Sequence, residues 1–222
     1  MEAGIDASRE PALTAAAGKT TPNPSVEELT DEGRASIREG LAAMRRRPDR
    51  HAKGLVIVNT GNGKGKTTAA LGILMRAWGR DMRVIVLQFI KHQTANWGET
   101  RAAHKMGIEM IALGSGFTWM SQDLERDKAL AREGWQRCRE AIESGGYDIV
   151  ILDELTYCFK YGWLDLEEVL DVLRRRPTGQ HVVITGRDAP ADLIAFADLV
   201  TEMREIKHPF KDGVKEQKGI EY

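Results

Sequence analysis

Nine consecutive residues could do chemistry together: Thr60-Gly61-Asn62-Gly63-Lys64-Gly65-Lys66-Thr67-Thr68, set between the apolar runs Leu55 to Val58 and Ala69 to Leu74. Glycines let a backbone turn with its N–H groups pointing inward, and a helix starting near Lys66 adds its positive dipole end to the same concavity. Such a nest binds a polyphosphate. Lys66 reaches phosphate oxygens as a point charge, and the Thr67 hydroxyl is placed to ligate a magnesium ion bridging two phosphates. The pattern G-x-x-x-x-G-K-[ST] is met at Gly65, Lys66 and Thr67, but its first position holds Thr60 and the nearest glycine, Gly61, comes one residue late. That departure predicts an altered grip on the nucleotide.

A second group of residues completes such a site. Ile149 to Leu152 is an apolar run that ends in Asp153-Glu154, which puts two carboxylates at the carboxyl end of a buried strand, where ligands sit in open α/β sheets. One of the two holds the magnesium ion or its water shell; the sequence leaves open which. Thr185-Gly186-Arg187-Asp188 follows another strand. Arg187 there either contacts phosphate or pairs with Asp188 or Asp192. Gly114-Ser115-Gly116-Phe117-Thr118-Trp119-Met120 sets large aromatics where a polar loop is expected. Phe117 and Trp119 either plug the core or form a wall for a planar ligand. For Trp97, Trp135 and Trp163, core packing is the expectation.

Positioning these residues requires a sheet. Apolar β-branched runs at Leu55 to Val58, Val84 to Leu87, Ile149 to Leu152 and Val182 to Ile184 alternate with helical patterns, the signature of a parallel α/β sheet. Helices are expected over 66–79, 124–144, 166–175 and 191–197, with Asp165 and Glu168 as a start signal and Pro177-Thr178-Gly179 as a stop. A weaker strand is expected over 108–113. Residues 1–24 have almost no large apolar side chain and read as a disordered tail. Residues 25–53 hold a marginal, highly charged helix ending before Pro48, which either orders against a partner or ligand or lies on the surface. Residues 54–222 form the folded domain, which extends to the C-terminus.

Composition adds limits. The chain has 222 residues, 42% of them hydrophobic, enough for one sizeable core. A net charge of -1, from 32 basic and 33 acidic residues, gives no global field toward nucleic acid or an anionic membrane. Cys138 and Cys158 are too few for a disulfide scaffold and lack metal-ligand spacing, which points to a reducing compartment. With neither a membrane span nor a secretory signal in the pattern, the expected location is the cytoplasm.

Taken together, the stretch 60–68, Gln88-Phe89-Ile90-Lys91, Gly116-Phe117-Thr118-Trp119, Leu152-Asp153-Glu154-Leu155-Thr156-Tyr157 and Ile184-Thr185-Gly186-Arg187 resemble the P-loop type of ATP:corrinoid adenosyltransferase. Lys207-His208, Gly213-Val214-Lys215 and Gly219-Ile220-Glu221-Tyr222 share that resemblance. It covers about Gly54 to Tyr222 and implies a P-loop NTPase-like (RecA-like), mostly parallel sheet flanked by helices, with a partly disordered N-terminal extension. It implies that a cob(I) corrinoid attacks the 5′ carbon of ATP and releases triphosphate, in adenosylcobalamin biosynthesis or salvage. The acceptor is cobalamin, cobinamide or an early intermediate such as cob(I)yrinic acid a,c-diamide. ATP then lies reversed in the loop, which fits the late glycine, with residues 60–68 and Arg187 as its binding residues. Lys66 acts on the departing triphosphate, with magnesium held through Thr67 and Asp153 or Glu154. Phe117 and Trp119 lie at the lower face of the corrin ring, where they displace the axial ligand of cobalt and ease its reduction. The resemblance also implies a homodimer, an electron-donating flavoprotein reductase, and a segment before the first strand that folds over the corrinoid, for which residues 25–47 are the candidate. Two other readings use the same loop and carboxylates: a P-loop ATPase or nucleotide kinase producing ADP, and a nucleotide-gated binding module without turnover.

Overall fold

The computed structural model describes residues 30–32, 35, 36, 39, 53–92, 97–114 and 124–220. The expected tail over 1–24, most of the helix over 25–47, and both Phe117 and Trp119 lie outside these residues. The chain divides into two units, Met1–His51 and Ala52–Tyr222. In the first, residues 31, 32, 35, 36 and 39 are helical and exposed.

The second unit runs β1 (Val56–Thr60), α1 (Lys66–Trp78), β2 (Val84–His92), α2 (Gly98–Lys105), β3 (Glu109–Gly114), α3 (Leu124–Glu143), β4 (Ile149–Asp153), α4 (Thr156–Lys160), α5 (Leu166–Arg175), β5 (His181–Thr185), α6 (Ala191–Phe196) and β6 (Leu199–Glu202), then a 3-10 turn at Pro209–Asp212. The strands form one sheet in the order β3-β2-β4-β5-β1-β6, and every pairing is parallel. Because β4 and β5 are buried on both faces, their apolar residues form continuous runs, as a covered parallel sheet requires.

Side-chain alternation divides the core in two. Val56, Val58, Ile85, Leu87, Val150, Leu152, Val182 and Ile184 pack on one face with Trp135, Cys138 and Ile142 of α3 and the buried side of α5. Ile57, Val84, Val86, Ile149, Ile151 and Val183 pack on the other with Ala70, Leu74 and Ala77 of α1 and Ala103 of α2. α5 shows local causes clearly: the Asp165 side chain accepts the Glu168 N–H at 3.0 Å, and Val169, Leu170, Val172 and Leu173 recur at helical spacing and are buried. Trp135 and Trp163 are core residues, as expected, and both thiols are buried.

Three elements were not expected. α2 is a polar helix with one buried residue, Ala103, so it lacks the apolar stripe that marks a helix in sequence. α4 is 5 residues long and rich in aromatics. β6 is a 4-residue edge strand with exposed residues; solvent on one side removes the demand for an apolar run.

Candidate functional site

Parity along the strands builds the site. Asn59, Gln88, Asp153 and Thr185 each fall two residues after a core position on the α1 face; Asn59, Asp153 and Thr185 lie at the carboxyl ends of their strands, and Gln88 lies midway along the longer β2. Gln88 is register-paired with Asp153, and Asn59 with Thr185. The four lie on adjacent strands and form a buried polar row beneath the start of α1. Asp153, 1% exposed, accepts from the Thr67 hydroxyl at 2.9 Å and the Thr185 hydroxyl at 2.6 Å on Oδ1, and from the Gln88 amide at 2.9 Å on Oδ2. Three donors offset the desolvation of that carboxyl group. Asn59 closes the row with a buried amide nitrogen that has no partner among the described residues.

The phosphate-loop motif turns where the pattern requires. Gly65 is the N-cap of α1 with φ 110 and no side-chain cap, so the first-turn N–H groups are left to a ligand. The Lys66 ammonium folds back and donates to the carbonyls of Gly61 at 2.8 Å and Gly63 at 2.7 Å. Asn62, Lys64 and Thr68 are exposed. One expectation is corrected here. The Gly63 N–H does not point into the cradle but donates to the Met203 carbonyl at 2.7 Å, because the chain leaving β6 passes behind the loop. Thr60, the departing first position, is the last residue of β1; its hydroxyl accepts the Ala189 N–H at 3.2 Å.

Glu154 follows with φ 62, a left-handed conformation that costs a non-glycine residue on the order of 1 kcal/mol. Its N–H donates to the Thr185 hydroxyl at 2.9 Å, which helps hold the turn from β4 into α4. Burial, and next the adjacent Asp153, push the Glu154 carboxyl up to about 7, against the pull of Lys91, Lys66 and Arg187. Burial first, then Arg187, lowers the Lys66 ammonium, opposed by Glu154 and Asp153. These couplings gather three cations and two acids in one region. Lys91 is anchored by an ion pair with Glu99 and lies 5.2 Å from the centroid of the Trp97 ring.

Arg187 is exposed, and among the described residues it makes no ion pair. Asp188 bonds to Lys160 at 2.8 Å instead, so the expected alternative of an Arg187–Asp188 pair does not form. The Arg187 carbonyl accepts the Thr156 hydroxyl at 2.6 Å. A side chain on Gly186, where φ is 143, would meet that hydroxyl oxygen at 1.9 Å. The structure therefore brings Lys66, Thr67, Asp153, Glu154 and Arg187 to one edge. Gln88 entered the sequence reading only within a resemblance motif, and Thr185 only as the start of the segment that carries Arg187. The signal that marks them is a first polar residue at the inward-facing parity of an apolar strand, repeated in neighbouring strands.

Oxygen donors at Thr67, Asp153 and Glu154 suit a hard cation that keeps water and phosphate oxygens in its shell. Among the described residues no cluster of three or more His, Cys, Asp or Glu forms a complete metal cage.

Known proteins share much of the sequence of the second unit. The family described as ATP:corrinoid adenosyltransferase BtuR/CobO/CobP matches residues 52–222. A corrinoid adenosyltransferase of Escherichia coli (strain K12) is 47% identical over 170 residues, covering 77% of this chain and 86% of that protein. The corrinoid adenosyltransferase CobA of Salmonella typhimurium is 46% identical over 170 residues, with the same two coverages, 77% and 86%. A corrinoid adenosyltransferase of Sinorhizobium sp is 45% identical over 174 residues, covering 77% of this chain and 81% of that protein.

The Glu154 environment sets a pH dependence. Between its ordinary value of 4.5 and about 7, the folded ligand-free protein keeps a proton that the unfolded chain releases, so stability falls as pH rises through that window. Glu154→Gln flattens this slope. Urea midpoints of chelated, nucleotide-free protein across the window check it, and equal slopes in both proteins contradict it.

Proposed function

Because the chain belongs to the ATP:corrinoid adenosyltransferase family, we propose that the edge formed by the phosphate loop, Asp153 and Glu154 holds the triphosphate of ATP and turns its 5′ carbon toward a reduced corrinoid. The protein is an ATP-dependent corrinoid adenosyltransferase. In the reaction the electron pair of cobalt(I) forms a cobalt–carbon bond at the 5′ carbon, the carbon–oxygen bond breaks, and triphosphate leaves with its electron pair. No proton moves at the nucleophile, so no general base is needed.

The observation that carries this reading is the bonded set Lys66, Thr67 and Asp153 at the mouth of the loop. Lys66 exchanges its two carbonyl partners for phosphate oxygens and stabilises the charge that grows on the leaving group. The remaining binding contacts come from residues 60–68 and Arg187. Thr67, with Asp153 or Glu154, holds magnesium, which supplies further charge neutralisation to the triphosphate. The bonds of Asp153 to Thr67, Thr185 and Gln88 support a role for this acid in orienting the Thr67 hydroxyl. Phe117 and Trp119 cover the lower face of the corrin, exclude water and remove the axial donor of cobalt(II), which lowers the energy of the orbital that accepts the electron.

Residues 25–53 contribute to corrinoid binding, and the enzyme works as a homodimer fed by a flavoprotein reductase. A reducing, cytoplasmic setting is supported by the two buried, unpaired thiols. Among the described residues no helix is long and apolar enough to cross a membrane.

Anaerobic incubation with magnesium, ATP and chemically reduced cobalamin yields a light-sensitive alkylcorrinoid and triphosphate. Lys66→Ala lowers kcat/KM by at least about 100-fold, the size of effect seen when a preorganised charge-stabilising group is removed; ADP as product supports the ATPase or kinase reading instead. Trp119→Ala slows turnover more from cob(II) with a reductant than from cob(I), and equal losses from both oxidation states sink the role of the aromatic pair. Removal of residues 1–48 weakens corrinoid affinity and leaves ATP affinity unchanged; unchanged corrinoid affinity rejects the role of the extension.

A further inference from the structure

The glycines of the phosphate loop have a second claimant besides the ligand. The chain leaving β6 is laced to the loop by two backbone bonds: the Met203 N–H donates to the Thr60 carbonyl at 2.8 Å, and the Gly63 N–H donates to the Met203 carbonyl at 2.7 Å. A Cβ on Gly61 would fall 2.5 Å from the Met203 carbonyl oxygen, and one on Gly63 would fall 2.7 Å from the Arg204 carbonyl. A Cβ on Gly65 would meet the Met203 sulfur at 3.0 Å. Gly61 and Gly65 also need positive φ, at 93 and 110, but Gly63 does not. At Gly63 the approach of the β6 exit alone excludes a side chain. Thr60 stays a strand residue, its carbonyl bonded to the Met203 N–H, and the left-handed turn begins one residue later at Gly61.

We propose that Met203 is a positioning residue for the phosphate loop, holding its curvature so that the loop keeps its shape when Lys66 turns from the Gly61 and Gly63 carbonyls to phosphate. This rests on the reading that the loop holds the triphosphate of ATP. The Met203 sulfur lies beside Gly65, the cap of α1, where it crowds the place a Cβ would take, while the Met203 backbone bonds to Thr60 and Gly63. Met203 is therefore bonded to the loop at its start and middle and lies against the space beside its end, and it acts on ATP only through those residues. Loosening it costs affinity for the triphosphate and leaves the corrinoid side of the site alone.

The test uses the full-length enzyme with inorganic tripolyphosphate as a probe of the loop. In Met203→Ala, the KM for ATP and the inhibition constant of tripolyphosphate each rise about fivefold, a factor that corresponds to about 1 kcal/mol. The KM for cobalamin and the thermal midpoint stay near wild type, and Met203→Leu restores ATP binding because it refills most of the lost volume. Gly63→Ala, whose methyl group reaches the Arg204 backbone, gives the same selective rise. The double variant loses less than the product of the two single losses, because a freed β6 exit can yield to the methyl group. The proposal is overturned if Met203→Ala leaves tripolyphosphate inhibition unchanged, if ATP affinity, cobalamin affinity and thermal midpoint fall together, or if the two losses multiply independently. A failure of the underlying reading looks different: tripolyphosphate does not inhibit the wild type, or inhibits Lys66→Ala equally well.

Discussion

A carboxyl group shut away from water at the end of a central strand obliges everything around it to supply donors. Asp153 takes them from α1, β2 and β5, and loss of any one leaves a buried acceptor short at a cost of about 1–3 kcal/mol. The demand fixes more than the acid. It sets the rotation of α1 about its own axis through Thr67, and it ties the sheet together at the edge where the phosphate loop opens. Thr185 adds a second duty by accepting the Glu154 N–H, so the strained turn after β4 depends on the same hydroxyl that satisfies Asp153.

Charge is arranged with equal economy. Lys66, Lys91 and Arg187 surround two acids, and burial together with Arg187 already disfavours the charge on Lys66. A site that holds cations under this penalty gains when a polyanion arrives, since the anion relieves the repulsion among them without any rearrangement of the sheet. Such preorganisation is how a protein stabilises a leaving group in advance of the bond breaking. The ion pair of Lys91 with Glu99 and its contact with the Trp97 ring keep one of the three cations in place.

Most of the sheet was legible because a strand covered on both faces must carry a continuous apolar run, and β1, β2, β4 and β5 each do. The phosphate loop and Asp153-Glu154 were legible for a related reason: polar residues that break such a run at its carboxyl end sit where ligands bind. What escaped reading depends on partners far away in sequence. Gln88 and Thr185 look like ordinary strand residues until the strand order sets them beside Asp153. β6 lacks an apolar run because solvent lies on one side, and Met203 shows nothing locally of its hold on a loop more than a hundred residues earlier. The aromatic loop carrying Phe117 and Trp119 was legible only through family likeness, since residue type alone suited a core plug equally well.

The lacing of the phosphate loop to the exit of β6 also bears on how the molecule is made. Synthesis proceeds from the N-terminus, and domains fold as their segments leave the ribosome. The loop emerges early, but its brace, Met203, follows more than a hundred residues later. A nascent chain stalled before β6 carries the lysine and the glycines of the loop without the two backbone bonds that Met203 makes to it. In such a chain the Thr60 carbonyl and the Gly63 N–H lack the partners that Met203 supplies in the folded domain, so the loop takes its braced shape only after β6 has joined the sheet.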